Sequence, residues 1–287
     1  MNPSQMTFIE GFSPLAPAYD VVLCDIWGVL HNGVAAFPEA SDALSRFRAG
    51  GGRVALITNA PRPGSAILPF IQRLGVSGDA YDDIVTSGDL TRERIAARAG
   101  QTVFHIGPER DAPIFEGLPV RFADADSADY VVCTGLFDDE RETAENYRNV
   151  LARLRGRDRF MLCANPDLVV ERGDRLIHCA GAVADLYVSL GGQVFYAGKP
   201  HGPIYEQALG KVDRRGAVPK QRVLAIGDSI RTDLTGAAGF GIDALFVTAG
   251  IHAEEFGGRH DPDLPAVERT LTAAGMRPRA VMRHLAW

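Results

Sequence analysis

The amino-acid sequence predicts an α/β protein built on a doubly wound parallel sheet, with a second α/β domain inserted into it. Short apolar runs alternate with segments of helical periodicity at both ends of the 287-residue chain. These runs are continuously apolar, as expected for strands of a parallel sheet that is buried on both faces. The length favours two domains over one or three.

Two strand–helix units open the chain, and the same alternation resumes near its end. The predicted strands of these two regions are 21–25, 53–59, 193–199, 222–228 and 243–250. The predicted helices are 38–49, 63–74, 202–212 and 231–241. Together they form the pattern of a Rossmann-like core.

The middle of the chain alternates in the same way. Its predicted strands are 102–107, 129–135 and 160–166, and its predicted helices are 89–99, 140–155 and 180–190. This region has enough elements for an α/β domain of its own.

Composition excludes several functions. The formal net charge of −6 offers no basic excess to neutralise a phosphate backbone, so we expect no nucleic-acid partner. The N-terminus lacks the features of a signal peptide, and no apolar run approaches the ~18 residues of a membrane span. We therefore expect a cytoplasmic protein without membrane contact, and a homo-oligomer is compatible with these features. The four cysteines form no C-x-x-C pair and are expected to be small buried residues.

Chemically useful side chains stand where predicted strands end. They are Asp25, Thr58 with Asn59, Lys199, and Asp228 with Asp233 five residues later. In open α/β sheets, ligands bind beyond the carboxyl ends of the strands. Carboxylates suit Mg²⁺, a lysine and a hydroxyl offset phosphoryl charge, and one carboxylate can attack phosphorus.

Each of these residues also has an ordinary structural explanation. A strand-end aspartate commonly caps a helix or forms a turn, and Thr58 and Asn59 could cap the next helix. Lys199 alone would be a solvated surface lysine, and Asp233 could sit in the first turn of a helix. Their joint occurrence at successive strand ends favours the functional interpretation.

The stretches around these residues resemble the four motifs of the haloacid dehalogenase superfamily. In motif order they are DIWGVLHNG (25–33), LITN (56–59), GKP (198–200) and GDSIRTDL (227–234). Two further stretches, TSGDL (86–90) and CANPD (163–167), are similar to class IIA, the NagD and p-nitrophenylphosphatase-like phosphatases. That class carries a cap domain between its second and third motifs. The resemblance implies a core at 1–86 and 193–287 and a cap at 87–192.

The resemblance also implies roles for the strand-end residues. Asp25 would be the nucleophile that forms an aspartyl-phosphate. A Mg²⁺ ion would be held by Asp25, Asp228 and the backbone carbonyl of Trp27, with Asp233 orienting the metal site. Thr58 and Lys199 would bind the transferred phosphoryl group, with help from the amide of Asn59.

The sequence departs from the family pattern at Trp27. Phosphatases of this superfamily usually carry a second acid there, which protonates the leaving alcohol and later activates water. An indole has no useful acidic proton, and general acid–base assistance is worth roughly 10²–10⁴-fold in rate. His31 is a candidate replacement acid near neutral pH, although a turn histidine bonded to the backbone is the favoured explanation.

Two alternative functions stay open. An aromatic residue at this position also resembles the true dehalogenases of the superfamily, whose chemistry needs no metal. The acid pair Asp228 and Asp233 and the position of the inserted cap both oppose that interpretation. The second alternative is a phosphate-binding protein with degenerate catalysis. We expect a Mg²⁺-dependent phosphohydrolase that acts on a small phosphorylated metabolite.

Two segments of the cap are candidates for substrate contact. Asn165 and Asp167 lie in a turn that follows a predicted strand, where such residues also occur without a ligand. Gly181 would let a helix N-terminus approach an anion closely, or would simply let that helix pack tightly.

Overall fold

A computed structural model describes residues 6–172, 175–213 and 216–287. Its strands are β1 (Val21–Asp25), β2 (Arg53–Thr58), β3 (Asp83–Thr86), β4 (Thr102–Ile106), β5 (Arg121–Phe122), β6 (Tyr130–Cys133), β7 (Phe160–Cys163), β8 (Val169–Arg172), β9 (Arg175–His178), β10 (Gln193–Tyr196), β11 (Val223–Gly227), β12 (Asp243–Val247) and β13 (Ala280–Met282). Its α-helices are α1 (Pro38–Ala49), α2 (Gly64–Leu74), α3 (Ser87–Ala96), α4 (Arg148–Gly156), α5 (Ala180–Ser189), α6 (Gly202–Val212), α7 (Thr235–Phe240) and α8 (Leu264–Ala273).

The chain divides into two compact units. The first contains Met1–Thr58, Leu68–Val85 and Pro200–Trp287, and the second contains Asn59–Ile67 and Thr86–Lys199. The predicted division into a core at 1–86 and 193–287 and a cap at 87–192 stays a prediction.

The first unit holds a six-stranded sheet in the order β13-β12-β11-β1-β2-β3. Strand β1 lies inside this sheet and pairs in parallel with both β11 and β2. All five of its residues are buried, which explains its continuously apolar sequence before Asp25. The carboxyl ends of β1, β2 and β11 therefore lie side by side at one edge of the sheet.

The second unit holds a five-stranded sheet in the order β10-β7-β6-β4-β5, with parallel pairing throughout. If these five strands are renumbered 1 to 5 in sequence order, the sheet read from β5 to β10 has the doubly wound order 2-1-3-4-5. Alternate residues of β6 pack into the two hydrophobic cores on either face of the sheet. Val131 and Cys133 belong to one core, and Tyr130 and Val132 belong to the other. Strands β8 and β9 form a separate antiparallel hairpin.

Several helices match their predicted limits, and two regions differ. Helices α1 and α6 span the predicted residues 38–49 and 202–212. The helix predicted at 140–155 starts only at Arg148, because Thr143 caps a short 3₁₀ turn that precedes it. Strand β10 pairs with β7 and therefore belongs to the second sheet. The sequence instead predicts that residues 193–287 form part of the core.

The cysteine prediction is confirmed within the described chain, where all four side chains are buried and free of disulfide bonds. Burial raises the pKa of the Cys133 thiol to about 12, which keeps it protonated and unreactive at neutral pH. None of the described helices combines the length and the apolar character that a membrane crossing requires.

Candidate active site

Three buried aspartates converge in the first unit. Asp25 is the last residue of β1, Asp228 directly follows β11, and Asp233 lies in the helical turn after it. Their side chains are 7%, 5% and 4% exposed, respectively. One carboxylate oxygen from each lies within 4.8 Å of the other two. The structure thus brings together these three predicted site residues, whose role as metal ligands stays a prediction.

Backbone N–H groups hold each of the three carboxylates. Ile26 N–H donates to Asp25 Oδ1 at 2.8 Å, and Ile251 N–H donates to Asp228 Oδ2 at 2.8 Å. Ser229 N–H donates to Asp233 Oδ2 at 3.1 Å. Donors on a fixed backbone hold each carboxylate in one orientation.

A π-helical turn places Asp233. The turn spans Ile230–Leu234, and the carbonyl of Ser229 accepts hydrogen bonds from the N–H groups of both Asp233 and Leu234. The Ser229 side chain accepts a further bond from Thr232 N–H at 3.3 Å, which caps the turn. Single π-helical turns are rare and frequently occur at functional sites.

Three glycines make room for the acids. A Cβ atom at Gly28, where φ is +83°, would lie 2.1 Å from Asp228 Oδ2, and one at Gly250 would lie 1.9 Å from the same atom. A Cβ atom at Gly227 would lie 2.1 Å from Asp233 Cγ. Backbone from three separate segments thus packs directly against the two acids. This role was not predicted from the sequence, where only the nearness of Gly28 and Gly227 to the motif acids could have signalled it.

The donor set fits a divalent cation. Three carboxylates with little solvent repel one another, and burying each ion costs of order several kcal/mol unless opposite charge compensates it. Hard oxygen ligands are those that Mg²⁺ takes in proteins, usually through one or two carboxylates. Asp25, Asp228 and Asp233 therefore have the chemistry of a magnesium site.

The predicted phosphoryl-binding residues fall into both compact units. Thr58 ends β2 in the first unit and is buried, one residue beyond Ile57, the register partner of Asp25. Asn59 and Lys199 belong to the second unit, where both are buried. Lys199 N–H donates to Asn59 Oδ1 at 2.7 Å.

The candidate cap residues contact one another within the second unit. Asp167 N–H donates to Asn165 Oδ1 at 3.1 Å, and Asp167 Oδ1 accepts from Asn59 Nδ2 at 2.9 Å. Gly181 N–H donates to the Asp167 carbonyl at 3.1 Å, and a Cβ atom at Gly181 would lie 2.3 Å from the Pro166 carbonyl oxygen. The Gly181 N–H is therefore used inside the protein, which favours the close-packing explanation of this glycine.

Trp27 and His31 pack together in the loop after β1. Their ring centroids lie 5.0 Å apart in an edge-to-face arrangement, and Gly33 leaves space for the indole. His31 is 1% exposed, and its Nδ1 accepts a hydrogen bond from Gly33 N–H at 2.9 Å. Burial lowers the pKa of His31 to about 4, so its ring is neutral at physiological pH. These contacts are those of a turn histidine bonded to the backbone.

The chain resembles proteins of one family in sequence and in fold. Residues 22–120 match the family model of haloacid dehalogenase-like hydrolases, and residues 196–285 match a second model described as HAD-hydrolase-like. A crystal structure of a haloacid dehalogenase-like hydrolase from Brucella suis is 47% identical, has a TM-score of 0.86 and covers 97% of this chain and 100% of that chain.

Two further relatives are more distant. The p-nitrophenyl phosphatase from Archaeoglobus fulgidus shares the fold, with a TM-score of 0.72, 22% identity and coverage of 93% of this chain and 97% of that chain. The D-glycerol 3-phosphate phosphatase from Mycobacterium tuberculosis is 28% identical over 251 residues, which are 83% of this chain and 65% of that protein. The chain thus spans about two thirds of the length of this curated relative.

The fold and the acidic centre define a hydrolase with a carboxylate-lined site. The chain belongs to the haloacid dehalogenase-like hydrolases. The family resemblance and the fold class predicted from the sequence are thereby confirmed.

Replacing Gly250 by alanine should disturb the acidic centre. The new methyl group would overlap Asp228 Oδ2, so we expect Gly250→Ala to weaken Mg²⁺ binding by roughly 10–100-fold in isothermal titration. Gly239→Ala is the matched control, because a Cβ atom at that position of α7 meets nothing within 4 Å. Equal Mg²⁺ affinity of both variants and the unmodified protein would show that Asp228 does not bind the ion.

Proposed function

We propose that this chain is a Mg²⁺-dependent phosphohydrolase that acts on a small phosphorylated metabolite. The observation that carries the proposal is the convergence of Asp25, Asp228 and Asp233, each buried and each held by a backbone N–H group. One carboxylate at the end of β1 can then serve as nucleophile while the others hold the cation.

The proposed reaction has two steps, and the first transfers the phosphoryl group. A carboxylate oxygen of Asp25 forms a bond to phosphorus while the bond from phosphorus to the leaving oxygen breaks, which leaves an aspartyl-phosphate. In the second step water attacks that intermediate, releases inorganic phosphate and restores the Asp25 carboxylate. Covalent catalysis of this kind divides one difficult step into two easier ones.

The remaining site residues have binding roles in this proposal. Mg²⁺, held by Asp25, Asp228 and the Trp27 carbonyl with Asp233 orienting the site, would supply positive charge against the phosphoryl oxygens. The Thr58 hydroxyl, the Lys199 ammonium and the backbone N–H of Asn59 would bind the transferred phosphoryl group.

Trp27 shapes the chemistry that we propose. Its indole cannot protonate the leaving oxygen, and His31 is an unsuitable substitute because its Nδ1 is bonded to the backbone and its pKa is about 4. The leaving group must then depart without a proton from either side chain. We therefore infer that substrates with weakly basic leaving oxygens react fastest.

The substrate class follows from the family and from one named relative. The M. tuberculosis relative is a D-glycerol 3-phosphate phosphatase, so its substrate is a small phosphorylated polyol. For this chain we propose only the class of substrate, a small phosphorylated metabolite. A cytoplasmic location and a homo-oligomer stay predictions.

The covalent, metal-dependent mechanism predicts two losses of activity. Hydrolysis of p-nitrophenyl phosphate should need Mg²⁺ and stop in EDTA. Asp25→Asn should abolish turnover while preserving the fold, because it removes the nucleophile at nearly constant volume. Phosphate release is the measurement, and Asp42→Asn is the control, since Asp42 is an exposed residue paired with Arg46.

Two outcomes would contradict that mechanism. An Asp25→Asn protein with undiminished turnover would exclude the covalent step. Halide release from a haloacid that EDTA does not affect would establish the dehalogenase alternative instead.

The absence of an acid at position 27 predicts a strong dependence on the leaving group. A plot of log(kcat/KM) against leaving-group pKa should fall steeply, with acyl and aryl phosphates reacting far faster than glycerol phosphate. Trp27→Asp should flatten the plot by raising the rates of alkyl esters, by at most roughly 10²–10⁴-fold. Trp27→Phe, which adds no acid, should keep the steep slope.

Folding of the variants must be followed by circular dichroism, because Trp27 packs against His31. A flat plot for the unmodified protein would show that another group protonates the leaving oxygen.

A further inference from the structure

Asn59 joins three distant parts of the second unit. Its Nδ2 donates to the Lys199 carbonyl at 3.1 Å and to Asp167 Oδ1 at 2.9 Å, and its Oδ1 accepts from Lys199 N–H at 2.7 Å. Lys199 and Asp167 are 140 and 108 residues away in the sequence. The Asn59 side chain is 3% exposed, so water competes little for these hydrogen bonds.

The amide of Asn59 pairs with both polar backbone atoms of Lys199. The N–H of Lys199 needs an acceptor and its carbonyl needs a donor, so only one orientation of the Asn59 amide satisfies both. A two-point contact of this kind fixes a peptide segment in the way that a neighbouring strand does. The backbone that carries the Lys199 ammonium is therefore held by a side chain rather than by a sheet.

The loop at 165–167 is held in the same cluster. A Cβ atom at Gly198 would lie 2.2 Å from Asn59 Oδ1 and 2.9 Å from Pro166 Cδ. Gly181 likewise has no space for a side chain beside the carbonyls of Pro166 and Asp167. The absence of a side chain at both glycines lets Asn59, Lys199 and this loop approach within hydrogen-bond distance.

We propose that Asn59 is a positioning residue, whose side chain fixes the Lys199 backbone and the 165–167 loop for phosphoryl transfer. The inference rests on the proposed function, in which Lys199 binds the transferred phosphoryl group. Both Nδ2 hydrogens of Asn59 are used inside this cluster, so its side chain acts through Lys199 and only its backbone N–H serves the phosphoryl group. Asp167 acts as the partner of Asn59 in the same arrangement.

Asn59→Asp tests the proposal with a side chain of the same shape. The variant keeps the acceptor for Lys199 N–H, loses both donors and sets a carboxylate against that of Asp167. We expect kcat/KM to fall by about 100-fold, the loss that a misplacement of about 1 Å produces. The loss should be in kcat and equal for p-nitrophenyl phosphate and an acyl phosphate, because the phosphoryl group is common to both.

A second substitution provides the rescue. This substitution is Asp167→Asn, whose amide oxygen still accepts from Asn59. Combined with Asn59→Asp, it removes the repulsion and donates to the new carboxylate, so part of the lost kcat should return. Asn146→Asp is the matched control, because Asn146 is exposed and its side-chain Oδ1 accepts from Thr143, which a carboxylate can also do, so kcat should stay unchanged.

Unchanged kcat in Asn59→Asp, or no recovery in the double variant, would overturn the proposal. Hydrogen exchange of the Lys199 amide, measured by NMR, tests the contact even if Asn59→Asp does not fold. That amide should be protected in the unmodified protein, and rapid exchange would also overturn the proposal. If the unmodified protein hydrolyses no phosphate ester, the proposed function fails, whereas the exchange result still decides whether Asn59 holds Lys199.

Discussion

Mutual repulsion of three buried carboxylates is the constraint on which the site depends. Asp25, Asp228 and Asp233 bring their oxygens within 4.8 Å of one another while nearly all of their surface is removed from water. Such an arrangement is unfavourable by itself, because like charges in a medium of low dielectric repel strongly. Backbone hydrogen bonds to each carboxylate offset part of this cost, and a bound divalent cation would offset more of it. This crowding of acids is the reason that we propose a divalent-metal site here.

Close backbone approach is the structural means by which both units build their polar clusters. In the first unit, Gly28, Gly227 and Gly250 allow main chain to reach Asp228 and Asp233. In the second unit, Gly198 allows main chain to approach Asn59 and Pro166, and Gly181 allows main chain to approach the carbonyls of Pro166 and Asp167. Each cluster lies beyond the carboxyl ends of parallel strands, where the chain leaves the sheet and its polar groups need new partners.

Periodicity and motif spacing made much of the fold predictable from the sequence. Helices α1 and α6 could be delimited because their apolar residues recur at helical spacing, and the acids of the motifs follow buried strands whose apolar runs are unmistakable. Strand β13 and the β8–β9 hairpin were missed because they are short, and the three-residue β13 completes a sheet edge through long-range pairing with β12. The contacts of Asn59 could not be predicted, since they join residues more than a hundred positions apart.

The most direct test of the acidic centre compares thermal unfolding of the unmodified protein and Asp228→Asn, with EDTA and with increasing Mg²⁺. Asp228→Asn should stay folded in EDTA, because the amide oxygen still accepts from Ile251 N–H. Added Mg²⁺ should raise the midpoint of the unmodified protein, with a stabilisation of about 2.7 kcal/mol at a hundred times the dissociation constant, and should leave Asp228→Asn almost unchanged. Equal responses of the two proteins to Mg²⁺, or no response of the unmodified protein, would contradict the account of the acidic centre as a metal site.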